Sequence, residues 1–357
     1  MDTQTRLEIV KSVGEEIITE EELKQLLETK QSPVAYDGFE PSGMAHLPFG
    51  LFRPMIVSEL QKAGIHFKLY LADWHAWTNN KMGGDLEKIR KVGEYFMEVW
   101  KAAGMKHVEY VWASEIMDKE YWKKVILIAK NTSVARTTRA LTIMGRKEGE
   151  MKEVVQYFYP MMQTADIFAL NLDICQLGLD QRRANMIARE AGPKLGWGKP
   201  VVVSHHMLMG LEGVKQPEGF EQNSHMDVEI SSKMSKSKPS TAIFVHDTTE
   251  EIKKKIDKAF CPAKDANNPV MEYSKHLILR KFGEMCVERD KKFGGDATFH
   301  SYEELEAAYT KGDLHPVDLK NAAAKHLDQM ISPIRKHFET GRAKELYDFV
   351  RSQQVTR

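Results

Sequence analysis

Cysteine is scarce in this chain: three in 357 residues, Cys175, Cys261 and Cys286, with no CxxC pair among them. That excludes a disulfide lattice or a zinc knuckle and makes a reducing, cytoplasmic setting the expected one. Net charge is missing too, because Lys+Arg and Asp+Glu stand at 51 each. The chain is therefore neither a uniform nucleic-acid glove nor an acidic tail, and any RNA contact has to be a local basic patch. No run of about 18 apolar residues occurs, and the N-terminus, from Met1 through the Glu-rich stretch Glu15 to Glu22, has no apolar signal core. A soluble protein with no membrane partner, outside the secretory route, is the expectation. Two nucleotide fingerprints are absent as well. Gly196 and Gly198 lack the third glycine of GxGxxG, and the only Gly-Lys dipeptide, Gly198-Lys199, runs into proline rather than a P-loop. There are no repeats or low-complexity tracts.

What is present is enough apolar material, 42%, to bury a substantial core at a length suited to two domains. The first half alternates short apolar runs with longer helical patterns: Val34 to Phe39, Leu51 to Ala63, Phe67 to Asp73, Asp85 to Ala103, Val108 to Ala113. Such alternation predicts a parallel sheet with helices on both faces. In the Asp85 to Ala103 segment, Leu86, Ile89, Phe96 and Trp100 fall near one stripe, as in an amphipathic packing helix. From Asp118 to Tyr159 strand signals fade, as in a helical insertion between two halves of a sheet, and strands resume at Leu172 to Leu177 and Pro200 to His205. Residues 212 to 232, rich in Gly, Pro, Gln, Ser and Asp without periodicity, read as a mobile surface loop. Thr248-Thr249-Glu250-Glu251 is a helix-start signal, and helical pattern continues to the end. The expected architecture is an α/β, nucleotide-binding parallel-sheet catalytic domain over 1–245, with a helical insertion at about 115–160 and a lysine-bearing loop at about 212–240. An all-α C-terminal domain over 246–357 follows it.

Chemistry concentrates in a few segments. Tyr36 to His46, YDGFEPSGMAH, leaves a predicted strand through a glycine-bearing turn into a helix, the place where open α/β sheets bind ligands and phosphates. By itself it equally suits an ordinary strand-turn-helix with a chance histidine. Lys233-Met234-Ser235-Lys236-Ser237, with Lys238 beside it, ends the apparent loop. Most lysine clusters are solvated charge runs. Lysines on a closing loop, however, reach nucleotide phosphates and offset charge that develops during transfer. Tyr159, Gln163 and Asp166 recur at i, i+4 and i+7, one face of a helix, which either lines a small polar pocket that Tyr36 enters or is a solvated face. His75, beside Trp74, either borders that pocket or is a packed histidine.

With PSGMAH and KMSKS both in hand, the chain resembles the class I aminoacyl-tRNA synthetases, whose two signatures are the HIGH-type and KMSKS motifs. Tyr36-x-Gly38-Phe39-Glu40-Pro41-Ser42-Gly43, Tyr159 to Asp166 and Gly178-Leu179-Asp180-Gln181-Arg182 are similar to the archaeal and eukaryotic tyrosyl branch. The similarity extends to Phe293-Gly294-Gly295-Asp296 and His315 to Lys320. One departure stands out: where the HIGH box has His-Leu-Gly-His, this chain has His46-Leu47-Pro48-Phe49-Gly50, so only His46 carries over.

The resemblance implies that tyrosine attacks the α-phosphorus of Mg-ATP to give tyrosyl-adenylate, which a terminal tRNA hydroxyl then captures. Catalysis would fall to His46, Lys233 and Lys236. The substrate phenol would lie between Tyr36 and Asp166, its ammonium group at Tyr159, Gln163 and Gln181. ATP would meet Gly38, Glu40, His46, Asp180, Met234, Ser235 and Lys236, with Mg2+ arriving on ATP and no metal or organic cofactor held by the protein. Phe293, His315 and Asp318 would read the anticodon of tRNA(Tyr), although His315-Pro316-x-Asp318 is also a helix-capping pattern, with Asp318 as the cap. The insertion would supply a homodimer contact, and Arg136, Arg139 or Arg182 a grip on the acceptor stem. Three rivals differ in chemistry: a tryptophan enzyme of the same fold, a catalytically silent RNA-binding paralogue, and a dinucleotide oxidoreductase, the last opposed by the missing glycine fingerprint.

Overall fold

The computed structural model describes residues 1–146, 148–215 and 224–353. A six-stranded sheet carries the first part of the chain: β1 (Glu16–Ile18), β2 (Val34–Phe39), β3 (His66–Leu71), β4 (Val108–Trp112), β5 (Ile174–Cys175) and β6 (Val201–Ser204) in the spatial order β1-β6-β5-β2-β3-β4. All neighbours run parallel except β1, which lies antiparallel to β6. β2 is the centre. From it the chain winds outward through β3 and β4, then returns to β5 on the other side, so the order reverses between β2 and β5. That reversal opens a crevice at the carboxyl ends of these two strands. Residues fall into it by register: Tyr36 sits opposite Cys175 on one side and Lys68 on the other, while Gly38 faces Tyr70.

Local physics accounts for the main elements. β2, β3 and β6 are short, largely buried runs, as expected of strands covered on both faces. The Leu86–Ala102 helix starts where Asp85 accepts the amide protons of Glu87 and Lys88, and it buries Ile89, Val92, Phe96, Val99 and Trp100. Leu86, placed on the same stripe by periodicity, is only half-buried. The Tyr159–Ala169 helix has Pro160 in its first turn, where the missing N–H costs nothing, and buries nearly its whole length. Among the described residues between β4 and that helix, the regular elements are all helical, including Lys119–Lys130 and Val134–Ala140.

The structure corrects the sequence expectations in three places and adds one element to them. The addition is Glu16–Ile18, inside the Glu-rich run, which is an edge strand paired with β6. Ser224–Ser232, expected to be loop, is a helix; the rest of the expected loop includes 216–223, which lie outside the described residues. Among the described residues, the regular elements of the C-terminal part are helices except for one hairpin of β7 (Met285–Val287) and β8 (Ala297–Phe299). Finally, the cap of the Pro316–His337 helix is His315, whose Nδ1 accepts from the Val317 amide at 3.2 Å, and Asp318 sits inside the first turn. The Thr248/Glu251 capping box, by contrast, forms as expected ahead of Thr249–Lys258.

The two parts of the chain share one buried apolar cluster that runs from Leu7 to Val350. Arg342 Nη2 meets Glu94 Oε2 at 2.6 Å and His337 Nε2 meets Glu98 Oε2 at 2.6 Å, fastening the last helices onto Leu86–Ala102. These contacts tie the C-terminal helices to the element that backs the crevice.

Candidate active site

The crevice is a cavity of about 340 Å³, in the size range of small-ligand sites. Its lining brings together Tyr36, Gly38, Glu40, His46, Tyr159, Gln163, Asp166, Asp180, Gln181, Lys233, Met234 and Lys236. Residues almost two hundred positions apart meet for a backbone reason. The Leu47 amide donates to Ile243 O and the Val245 amide to Ala45 O, so 243–245 pair antiparallel with the turn after β2. The lysine segment just upstream is thereby held over that turn. Ser235, whose hydroxyl bonds Ser237, and the anticodon candidates are the expected site residues outside the cavity lining. His315 and Asp318 belong to the C-terminal helix start, and the Phe293 side chain lies outside the described residues.

At one end of the cavity Asp166 is the hub. Its Oδ1 accepts the hydroxyls of Tyr70 at 2.7 Å and Tyr121 at 2.8 Å, and its Oδ2 lies 3.1 Å from His75 Nε2. Burial alone would lower the pKa of His75, but the Asp166 carboxylate outweighs it and raises the value. His75 thus borders the pocket and is packed as well, edge-on to Tyr159 at 5.1 Å between ring centres. Tyr36, 1% exposed, has a hydroxyl with no partner among the described residues. Burial, then the nearby Cys175, Asp166 and Asp37, push its pKa well up, so the hydroxyl keeps its proton. Tyr70 and Tyr121 were not among the expected residues. A tyrosine inside the apolar strand Phe67-Lys68-Leu69-Tyr70-Leu71 was the available signal, since a buried phenol needs a partner.

Midway, Gln163 Nε2 donates to Gln181 Oε1 at 3.1 Å, and the Tyr159 hydroxyl donates to Glu40 Oε1 at 2.8 Å. Glu40 also accepts from Asn79 Nδ2 at 2.9 Å and lies 3.5 Å from Lys81 Nζ. Asn79 and Lys81 are further residues that spacing did not single out. Gly38 has no steric reason among the described residues, because an added Cβ would meet Tyr70 Cδ1 at 3.4 Å, Tyr36 Cε2 at 3.8 Å and Tyr70 Cβ at 3.9 Å, all ordinary contacts.

The far end is cationic. Lys233 Nζ is bonded to Asp180 Oδ2, and Lys236 Nζ to the Ser42 carbonyl, with Ser42 Oγ at 3.2 Å. Burial, reinforced by Lys81 and opposed by Glu40, brings the Lys236 pKa down to about 7. His46 is brought down to about 3 by burial and by Lys236, so its ring is neutral, and its Nδ1 is buried without a partner. The position after His46 that would carry a second histidine is taken by packing. Phe49 is buried against Phe39, Phe96 and Trp100, and Gly50 is forced, because a Cβ there would lie 2.4 Å from Val245 Cγ1. Also in the cavity wall, Arg53 Nε lies 2.9 Å from Asp37 Oδ2. Burial raises Asp37 to about 7 despite Arg53 and lowers Arg53 to about 10 despite Asp37.

Comparison with known proteins adds an independent line. The family model described as tRNA synthetases class I (W and Y) matches residues 28–332. Tyrosine–tRNA ligase 1, cytoplasmic, of Arabidopsis thaliana is 46% identical over 364 residues, covering 100% of this chain and 90% of that relative. The tyrosine–tRNA ligase of Thermococcus sibiricus is 44% identical over 379 residues, covering 100% of both chains. Among solved structures, the tyrosyl-tRNA synthetase of Pyrococcus horikoshii, complexed with L-tyrosine, superposes with a TM-score of 0.90 at 41% identity, covering 99% of this chain and 100% of that one.

Proposed function

The chain belongs to the class I tRNA synthetases of the tryptophan and tyrosine group, and on that footing we propose that its reaction is tyrosine–tRNA ligation, run in the crevice between β2 and β5. The observation that carries the choice of tyrosine is the buried Asp166 carboxylate beside the unpartnered Tyr36 hydroxyl. An indole N–H can donate to the acid, but the ring offers no acceptor to the Tyr36 hydroxyl. A phenol supplies one donor and one acceptor to the pair. Phenylalanine supplies neither, so the Tyr36 hydroxyl stays unpaired and Asp166 gains no donor beyond those the protein gives it, the rule of discrimination for which tyrosyl-tRNA synthetases are the standing example.

The remaining assignments follow the cavity. Tyr159, Gln163 and Gln181 receive the ammonium group, and Gly38 leaves space for ATP to approach the backbone of β2. Mg-ATP enters as a substrate with its phosphates toward His46, Lys233 and Lys236. The two lysines rest on Asp180 and Ser42, and ATP takes their place on these acceptors: Asp180 turns to the ribose and the ammonium groups to the phosphates. Neutral His46 donates or accepts at the transferring phosphoryl without adding charge to a site already rich in lysine. No protein nucleophile is required, because the tyrosine carboxylate is itself the attacking group. Positioning and cationic stabilisation supply the rate. The division at about residue 245 separates this chemistry from tRNA reading by His315, Asp318 and Phe293. Of the acceptor-stem arginines, Arg136 is engaged by Glu190 and Arg182 by Glu16, leaving exposed Arg139 the readiest for a phosphate. A homodimer through the 115–160 insertion and a cytoplasmic site of action complete the proposal; no described helix is long and apolar enough to cross a membrane.

The test is ATP–pyrophosphate exchange with each of the twenty amino acids, repeated on Asp166→Ala. Exchange with tyrosine alone, lost or made unselective in the variant, is expected. Exchange driven by tryptophan, or an unchanged Asp166→Ala enzyme, overturns the assignment.

A further inference from the structure

At the rim of the cavity, and separate from the substrate contacts, stands one group of metal-ligand side chains among the described residues. Glu15 just before β1, His206 just after β6, and Glu229 on the Ser224–Ser232 helix each bring a donor atom within 4.8 Å of the others. Glu229 Oε1 lies 2.9 Å and Glu15 Oε2 3.7 Å from His206 Nδ1. The Glu229 side chain is 8% exposed, and its second oxygen is buried with no hydrogen-bond partner. A buried carboxylate oxygen without a donor is costly unless a cation meets it. The other face of the imidazole is also arranged: Nε2 lies 3.2 Å from Glu272 Oε1, and the His276 ring stacks flat on it at 4.5 Å. A carboxylate behind the far nitrogen of a histidine is the usual means of orienting a metal-binding ring.

We infer that His206 Nδ1, Glu229 and Glu15 form a site for one divalent transition-metal ion of the zinc class, with Glu272 orienting the histidine. One imidazole and two carboxylates suit zinc, which takes nitrogen and oxygen donors together, better than magnesium or calcium, which favour oxygen alone. Three protein donors leave the fourth tetrahedral position to water. Burial would lower the His206 pKa, but Glu229 and Glu272 outweigh it and raise it to about 10, so the free ring holds a proton on Nδ1; on binding that proton leaves to solvent and the Nδ1 lone pair goes to the metal, with no electron transfer. The consequence for the enzyme is mechanical. Glu229 lies four residues before Lys233, so the ion would pin the helix that leads into the lysine segment to β6 and to the start of β1. The inference does not rest on the tyrosine assignment and can fail without it.

The experiment is equilibrium dialysis of the chelator-stripped full-length chain against Zn2+ alone, with Mn2+ and Mg2+ in parallel, the bound metal being counted by mass spectrometry. One zinc per chain is expected, with Mn2+ weaker and Mg2+ not retained. His206→Asn should weaken zinc binding by more than about tenfold, and Glu272→Gln by about tenfold through the orienting contact. Glu15 is partly exposed, so Glu15→Gln tests a ligand without risk to folding, and it too should weaken binding. Zinc bound no more tightly by the unaltered chain than by Glu15→Gln and His206→Asn overturns the site, as does the absence of stoichiometric zinc.

Discussion

Burying a carboxylate as deeply as Asp166 is costly unless donors surround it, and here two of them are the enzyme's own phenols. Tyr70→Phe removes one charge-assisted hydrogen bond, so a loss of about 1.5–3 kcal/mol in urea unfolding is expected, along with weaker discrimination against phenylalanine in pyrophosphate exchange. Lys236 makes a different prediction, because its folded pKa of about 7 is far below the ordinary lysine value. An unfolded lysine holds its proton to about 10.4. Between those two values the folded chain therefore binds fewer protons, and this residue's contribution to stability grows as pH rises. Catalysis runs the other way, since the phosphates need the ammonium form. kcat/KM for ATP should fall as pH rises above about 7, and Lys236→Arg, which does not deprotonate, should remove that limb at a lower plateau. A flat profile in the unaltered enzyme would rule this out. Tyr36, His46, Gln163, Asp166, Lys233 and Lys236, each in a spaced motif of the sequence, do meet in one cavity. Tyr70, Tyr121, Asn79 and Lys81 were not legible in the sequence, because their roles exist only through partners distant along the chain.

At the scale of elements, what was legible was long or periodic. β2, the Leu86–Ala102 helix and the Thr248 capping box fell where spacing put them. What escaped was three residues long, as in β1, β7 and β8, or lacked an apolar stripe, as in Ser224–Ser232. Such pieces form because a neighbour offers unpaired backbone groups or an acidic and basic partner, and propensity barely contributes. The turn carrying the HIGH-type box shows packing overriding motif. Pro48–Phe52 winds as a wide π turn, and Gly50 lies tight against Val245. Gly50→Ala must displace that valine, so destabilisation of about 1–3 kcal/mol by thermal or urea unfolding is expected. The start of the Pro316–His337 helix separates two roles of one residue. His315→Asn retains an Nδ1-like acceptor for the Val317 amide while deleting the imidazole, and asparagine is a good cap. The variant should keep its melting temperature and its pyrophosphate exchange yet charge tRNA poorly; unimpaired charging would leave His315 with the cap alone.

For the whole molecule, the decisive contrast is between surfaces that are covered and surfaces that are not. The last two helices are fastened to Leu86–Ala102 by Arg342–Glu94 and His337–Glu98, and the Tyr95 hydroxyl, which accepts the Ala45 amide, also meets His246 at 2.8 Å beneath Tyr347. Catalytic turn and C-terminal helices thus share one polar and aromatic joint. The insertion has no such cover. Trp122 and Ile126 lie one turn apart on the Lys119–Lys130 helix, Ile126 being 63% exposed, and Val134 nearby in sequence is 80% exposed. Apolar side chains so placed on an otherwise polar insertion suit a face that another chain covers, and the proposed homodimer would cover it symmetrically with a second copy of this one. Sedimentation should therefore show a dimer at micromolar concentration. Ile126→Asp places a charge in that face without touching the core, so it should yield a monomer with an unchanged far-ultraviolet spectrum. If tRNA lies across both subunits, that monomer should retain tyrosine-dependent pyrophosphate exchange while losing most of its aminoacylation. A dimer that persists in Ile126→Asp would move the interface off this helix.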